Sequence, residues 1–114
     1  MSDENKTIGL EETRTLLASD EAVVLEVLPE KYFVDGHLPG AVHVAPDELE
    51  KAAREFPPDE TRTVVTYCAG PSCSNSRETA GQLRRLGYRD VRVFEGGKEA
   101  WIDAGLALEE GNNA

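Results

Sequence analysis

Thiols, cations and long apolar runs are all scarce in this chain, and each shortage removes a class of function. Only two cysteines, Cys68 and Cys73, occur among 114 residues. A scaffold of several disulfides is therefore out of reach, and cysteines alone cannot furnish the four ligands of a structural zinc site. Basic residues number 12 against 22 acidic ones, for a formal charge of −10, and they form no stripe able to neutralise successive phosphates. Nucleic acid and anionic membrane are thus not expected as partners. No apolar run approaches the ~20 residues that span a bilayer. The start Met1-Ser2-Asp3-Glu4-Asn5 has neither the positive charge nor the apolar stretch of a signal peptide, so the expected compartment is the cytoplasm.

What is present has the balance of a soluble globular protein, with 39% hydrophobic and 30% charged residues. The length fits one domain of the common ~100–150-residue size, and no internal repeat divides it. The expected organisation is a flexible N-terminus over residues 1–6, a folded domain over 7–108 and a flexible C-terminal tail over 109–114, because neither end has anything to bury.

Inside the domain, the hydrophobic pattern alternates between helix and strand. Leu10, Leu16 and Leu17 return to one helical face that ends near Ser19-Asp20, and Ala22 to Val27 reads as a buried strand rich in β-branched residues. A long connection from Leu28 to Gly40 leads to a short strand, Ala41 to Val44. Pro46 then opens a helix whose Leu49, Ala52, Ala53 and Phe56 follow helical spacing, and Pro57-Pro58 stops it. The strand Thr63 to Tyr67 runs directly into Cys68. Next, a capping-box-like Asn75-x-x-Glu78 opens a helix that Gly87 closes. A strand from Asp90 to Phe94 leads through Gly96-Gly97 to a final helix around Trp101-Ile102, ended by Gly105. Such alternation predicts an α/β fold with a parallel sheet covered on both faces, whose ligands bind beyond the carboxyl ends of the strands. Cys68 stands at such an end.

The loop Cys68-Ala69-Gly70-Pro71-Ser72-Cys73-Ser74 joins a strand end to a helix N-terminus near Asn75. Unpaired amides of residues 69 to 75, together with the helix dipole, form an expected anion-binding loop that lowers the pKa of a thiol at Cys68 and favours the reactive thiolate. Glu78 opposes this charge, and Arg77 is a candidate substrate-binding residue if it turns back toward the loop. The plainer alternative for Cys68 is a small buried hydrophobe. Cys73 has three open roles: a packing residue, a resolving thiol that attacks a sulfurated Cys68 and releases sulfide, or a redox partner in a disulfide. His37 is expected to hold the long loop, His43 to lie on the opposite face of its strand, and Trp101 to fill a core or cleft wall.

Three segments resemble the rhodanese superfamily. Gly36-His37-Leu38-Pro39-Gly40-Ala41 is similar to the family's G-H-I-P-G-A, Val65-Thr66-Tyr67-Cys68 to the strand entering its catalytic cysteine, and Gly96-Gly97-x-x-x-Trp101 to its G-G-x-x-x-W. The resemblance runs from about Thr7 to Leu108. It implies a three-layer α/β/α fold around a five-stranded parallel sheet, with Cys68 as the sulfur-carrying nucleophile of a sulfurtransferase. It implies no metal or organic cofactor. The loop resembles a longer C-x-G-P-x-C variant: Cys73 stands where many active members have an arginine, and Leu28 stands where members often have the arginine of D-V-R. Thiosulfate, a dianion, is then expected to bind poorly, leaving polysulfide or a persulfidated small thiol as donor and a thiol or protein as acceptor.

Two rival functions remain at this stage. One is a binding or signalling module without turnover, its acidic surface suited to a basic partner. The other is a related cysteine phosphatase or arsenate reductase, which needs an arginine in the loop, and none lies between Cys68 and Ser76.

Overall fold

The computed structural model describes residues 6–19, 22–45, 49, 63–70 and 72–111. Five parallel strands form one sheet in the order β1-β5-β4-β2-β3. The strands are β1 (Lys6–Ile8), β2 (Ala22–Glu26), β3 (Val42–His43), β4 (Thr63–Tyr67) and β5 (Asp90–Phe94). The helices are α1 (Leu10–Ser19), α2 (Glu30–Asp35), α3 (Asn75–Arg85) and α4 (Gly97–Asp103).

The pleat of the central strands explains the layering, because successive side chains point to opposite faces. Val23 and Leu25 of β2, Val64 of β4 and Val91 of β5 turn toward α3, where Ala80 and Leu83 meet them. Val24, Val65 and Phe94 turn the other way, toward Leu16 and Leu17 of α1 and Trp101 of α4. Both faces are buried, so the strands read as continuous apolar runs, and each fully covered Val or Leu contributes roughly 1.5–3 kcal/mol of burial. The expected α/β sandwich of helices around a five-stranded parallel sheet is the observed architecture. Among the described residues, no helix is long and apolar enough to cross a membrane.

Some elements differ from expectation. The connection between Leu28 and Gly40 is not irregular throughout: α2 occupies Glu30–Asp35 after Pro29 and buries Phe33. β1 is an additional edge strand, pairing Lys6, Thr7 and Ile8 with Arg92, Val93 and Phe94 of β5. The capping box is also corrected. Ser74 is the cap residue of α3, and its hydroxyl donates to Glu78 Oε2 (3.0 Å), while the Asn75 amide leaves the helix start to donate to the Val27 carbonyl (3.2 Å). Residues 109–111, expected in a free tail, are tied down instead. Glu109 and His37 exchange backbone hydrogen bonds of 2.8 Å, and Gly111 N donates to Val34 O. This pairing satisfies the backbone of a His37 that is buried and would otherwise lack partners. The helix expected from Pro46 to Phe56 lies outside the described residues except for Leu49, which is helical and packs against the α3 side of the sheet.

Candidate active site

Cys68 follows the last residue of β4, and the pleat that sends Tyr67 to one face sends Cys68 to the other, beneath the start of α3. The loop is held from the far side by α4. Lys98 N donates to the Cys68 carbonyl (3.1 Å) and Glu99 N to the Ala69 carbonyl (2.9 Å), so the orphan amides at the start of that helix satisfy the loop. Backbone contact this close requires glycine. Gly97 has φ +57°, and a Cβ there would collide with the Cys68 carbonyl oxygen. The Gly96-Gly97 pair thus seats α4 on the cysteine loop.

Cys68 and Cys73 are joined as a disulfide, with Cα atoms 6.4 Å apart. That separation lies within the ordinary disulfide range. Cys68 is 1% exposed and shares a core cluster with Val64 and Leu28. Its polar side consists of the Cys73 carbonyl oxygen, 3.4 Å from Sγ, and the Ser76 hydroxyl, 3.7 Å away. Ser76 is itself buried in the first turn of α3, where Thr66 Oγ1 donates to its carbonyl (2.9 Å).

The other loop residues have distinct positions. Ala69, Ser72 and Ser74 are exposed, and Gly70 is buried with the Glu99 carboxylate filling the space a side chain would need. The Cys73 amide donates to the Gly70 carbonyl (3.1 Å), so in this form it does not face the sulfur. Pro71 lies outside the described residues. Arg77 pairs with Glu95 at 3.9 Å, at the carboxyl end of β5. Sequence reasoning did not single out Ser76, because nothing in its spacing indicates that its hydroxyl turns inward.

Behind the loop, on the opposite face of the sheet, lies a polar cluster that sequence reasoning also missed. Glu26 is fully buried at the end of β2. The Tyr67 hydroxyl donates to its Oε1 (2.7 Å) and accepts from Leu38 N (3.1 Å). Lys98 Nζ stands 2.9 Å from Glu26 Oε2 and donates to the Tyr32 carbonyl (2.8 Å). Burial first, and then the adjacent Glu26 charge, push the Tyr67 phenol far above its ordinary range, so it remains a donor. Desolvation offsets much of what such a pair contributes, whereas removing one partner costs roughly 3–5 kcal/mol. The cluster therefore acts mainly as a lock, tying β2, β4 and α4 together at the residue that precedes Cys68. The sequence signal for it was slight: a glutamate ending an otherwise apolar strand.

His37 and His43 are structural in this arrangement. His37 stacks on Phe33 with centroids 3.8 Å apart, and its Nδ1–H donates to the Phe33 carbonyl (2.9 Å). His43 Nε2–H donates to the Leu28 carbonyl (2.7 Å). Trp101 is buried and its indole N–H is satisfied by the Ala107 carbonyl (2.9 Å).

The chain that carries this loop has counterparts among known proteins in sequence and in fold. Human thiosulfate:glutathione sulfurtransferase is 30% identical over 110 residues, covering 85% of this chain and 93% of the relative. An HTH-type transcriptional regulator of Mycobacterium tuberculosis is 32% identical over 91 residues, covering 80% of this chain. The chain spans 39% of that regulator's length and 59% of an uncharacterised Synechocystis relative. Among solved structures, a human single-domain sulfurtransferase superposes with a TM-score of 0.75 at 26% identity, covering 88% of this chain and 97% of the other. A Bacillus halodurans protein reaches a TM-score of 0.84 at 19% identity, a likeness of fold alone, over 95% of this chain and 79% of the other. The family model described as a rhodanese-like domain matches residues 10–104, and with sulfurtransferases among its relatives the chain belongs to the rhodanese-like domain family.

Proposed function

We propose that this domain is a sulfurtransferase in which Cys68, released from Cys73 by reduction, takes sulfane sulfur from a donor, holds it as a persulfide and passes it to a nucleophilic acceptor. The observation that carries this reading is the placement of Cys68 between the end of β4 and the first turn of α3, with Ser76 Oγ 3.7 Å from its sulfur. An ionised sulfur there gains from the helix dipole and from a hydroxyl donor. In the step itself, the Cys68 thiolate attacks the outer sulfur of the donor and expels the donor's remaining anion or thiolate. Persulfide and acceptor thiolate then exchange, which returns Cys68.

The charge around the loop bears on the donor. Arg77 is engaged by Glu95, Glu99 lies against Gly70, and Glu78 is tied to Ser74. A compact dianion such as thiosulfate meets carboxylates here, so polysulfide, whose two charges lie at the ends of a longer chain, or a persulfidated small thiol is the favoured donor. Intact mass of reduced Cys73→Ser after incubation with inorganic polysulfide is expected to show one added sulfur that is absent in the Cys68→Ser/Cys73→Ser double variant. No gain with polysulfide, thiosulfate or an organic persulfide would sink the reading.

A second reading has its own support. Cys68 is covered in the disulfide form, and one relative is described as a transcriptional regulator, so a binding module without turnover is the rival. A protein partner captured equally by the native chain and by Cys68→Ser, with sulfur transfer absent, would favour it.

A further inference from the structure

We infer that Cys73 is an internal acceptor for the sulfur carried on Cys68, which adds a second activity: reductive release of sulfide, with the observed disulfide as its product. This rests on the Cys68 persulfide proposed above. The sulfurs of Cys68 and Cys73 are bonded in the structure, with their Cα atoms 6.4 Å apart. Cys73 therefore reaches the Cys68 sulfur without any rearrangement of the backbone. The hydrogen bond from Cys73 N to the Gly70 carbonyl (3.1 Å) holds that approach, and packing of Cys73 against the core cluster containing Cys68 keeps it over the thiol. An external acceptor has to gain access to a sulfur that is 1% exposed, whereas Cys73 is already in contact. That difference favours the intramolecular reaction, as it does for any pair of groups held together in advance.

The chemistry balances as thiol–disulfide exchange. The Cys73 thiolate attacks the inner sulfur, Cys68 Sγ, of the persulfide. A bond forms between the two cysteine sulfurs, the bond from Cys68 Sγ to the outer sulfur breaks, and the electron pair leaves with the outer sulfur as HS⁻, which keeps its proton. The sulfane sulfur is reduced to sulfide and the two cysteines are oxidised to the disulfide. A dithiol reductant then returns both thiols and is itself oxidised to a disulfide. The same residue that covers Cys68 thus ends each cycle by covering it again.

A single turnover without reductant tests this. The full chain is reduced with dithiothreitol, desalted, mixed with inorganic tetrasulfide and followed by intact mass, beside Cys73→Ser and Cys73→Ala. The native chain is expected to pass to the disulfide with no sulfur retained, while both variants accumulate one added sulfur and keep it until an external thiol is supplied. If the native chain keeps its added sulfur as long as the variants do, and Cys73 remains open to alkylation, the inference is overturned while the carrier reading stands. If neither variant ever gains sulfur, the carrier reading fails and takes this inference with it.

Discussion

The Cys68 sulfur has two polar neighbours of opposite effect once it is reduced. The Cys73 carbonyl oxygen, 3.4 Å away, repels an anion, and the Ser76 hydroxyl, 3.7 Å away, can turn to donate to one. A hydrogen bond to a charged group contributes ~1.5–3 kcal/mol at good geometry, and this one is long, so ~1 kcal/mol is the reasonable scale. Replacing Ser76 by alanine removes the donor and leaves the backbone carbonyl that Thr66 binds in place. The pH at which alkylation of reduced Cys68 reaches half its maximal rate is therefore expected to rise by about 0.5–1 unit in Ser76→Ala. An unchanged profile would show that the hydroxyl plays no part in ionising the thiol. At this scale the position of Cys68 between a strand end and a helix start was legible, because glycine and proline between two patterned segments mark a turn. The sequence did not announce Ser76, Glu26 or Lys98. Tyr67 and Glu26 lie 41 positions apart, and only strand pairing brings them together.

In the central strands the cysteine and the Asp90 anchor lie at opposite ends of the sheet. Cys68 lies past the carboxyl end of β4, while Asp90 and Thr63 begin β5 and β4 side by side at the amino end. Arg92 grips Asp90 with two hydrogen bonds, Nε to Oδ1 at 3.0 Å and Nη2 to Oδ2 at 2.9 Å, and the Thr63 hydroxyl adds a third at 2.9 Å. The Arg92 hydrogen bonds hold the Asp90 carboxyl below its ordinary range; burial works against them, and Thr63 and Lys6 add to them. A carboxyl held lower in the folded state binds fewer protons there than in the unfolded chain. Its contribution to stability is thus complete above the unfolded value of ~3.9 and fades as pH falls through the lower folded value. Asp90→Asn is expected to lower the urea midpoint at about pH 7 and to converge on the native chain as pH falls through the lowered folded value. Sulfur uptake by the refolded variant should be unaffected, since the anchor is at the far end of the sheet; a loss of uptake would show that the two ends communicate. Elements of this kind were legible where side chains repeat a pattern, as in β2, β4 and β5. β1 was not, because Lys6-Thr7-Ile8 has no apolar run and becomes a strand only through β5. α2 was not, because its six residues bury only Phe33, too few to display a period.

Taken as a whole, the chain carries a formal charge of −10, and among the described residues near the cysteine loop this acidity is not locally reversed, since Arg77 is paired with Glu95 and Glu99 lies against Gly70. The field of the molecule and the field of the site therefore have the same sign. An anionic donor is repelled from a distance and again at the loop, while an uncharged donor is not. Salt distinguishes the two, because the screening length shrinks from about 30 Å at about 0.01 M to about 8 Å at about 0.15 M. Over that interval the second-order rate of sulfur uptake by the reduced protein from thiosulfate is expected to rise roughly threefold to tenfold, by relief of repulsion. The rate from an uncharged dialkyl trisulfide should change little. Charge reversal at Glu99, as Glu99→Lys, is expected to raise the thiosulfate rate most at low salt and to flatten its salt dependence. Thiosulfate uptake that slows as salt is added would mean instead that a cationic group meets the donor at the loop, and Arg77 would then have to leave Glu95 to do so.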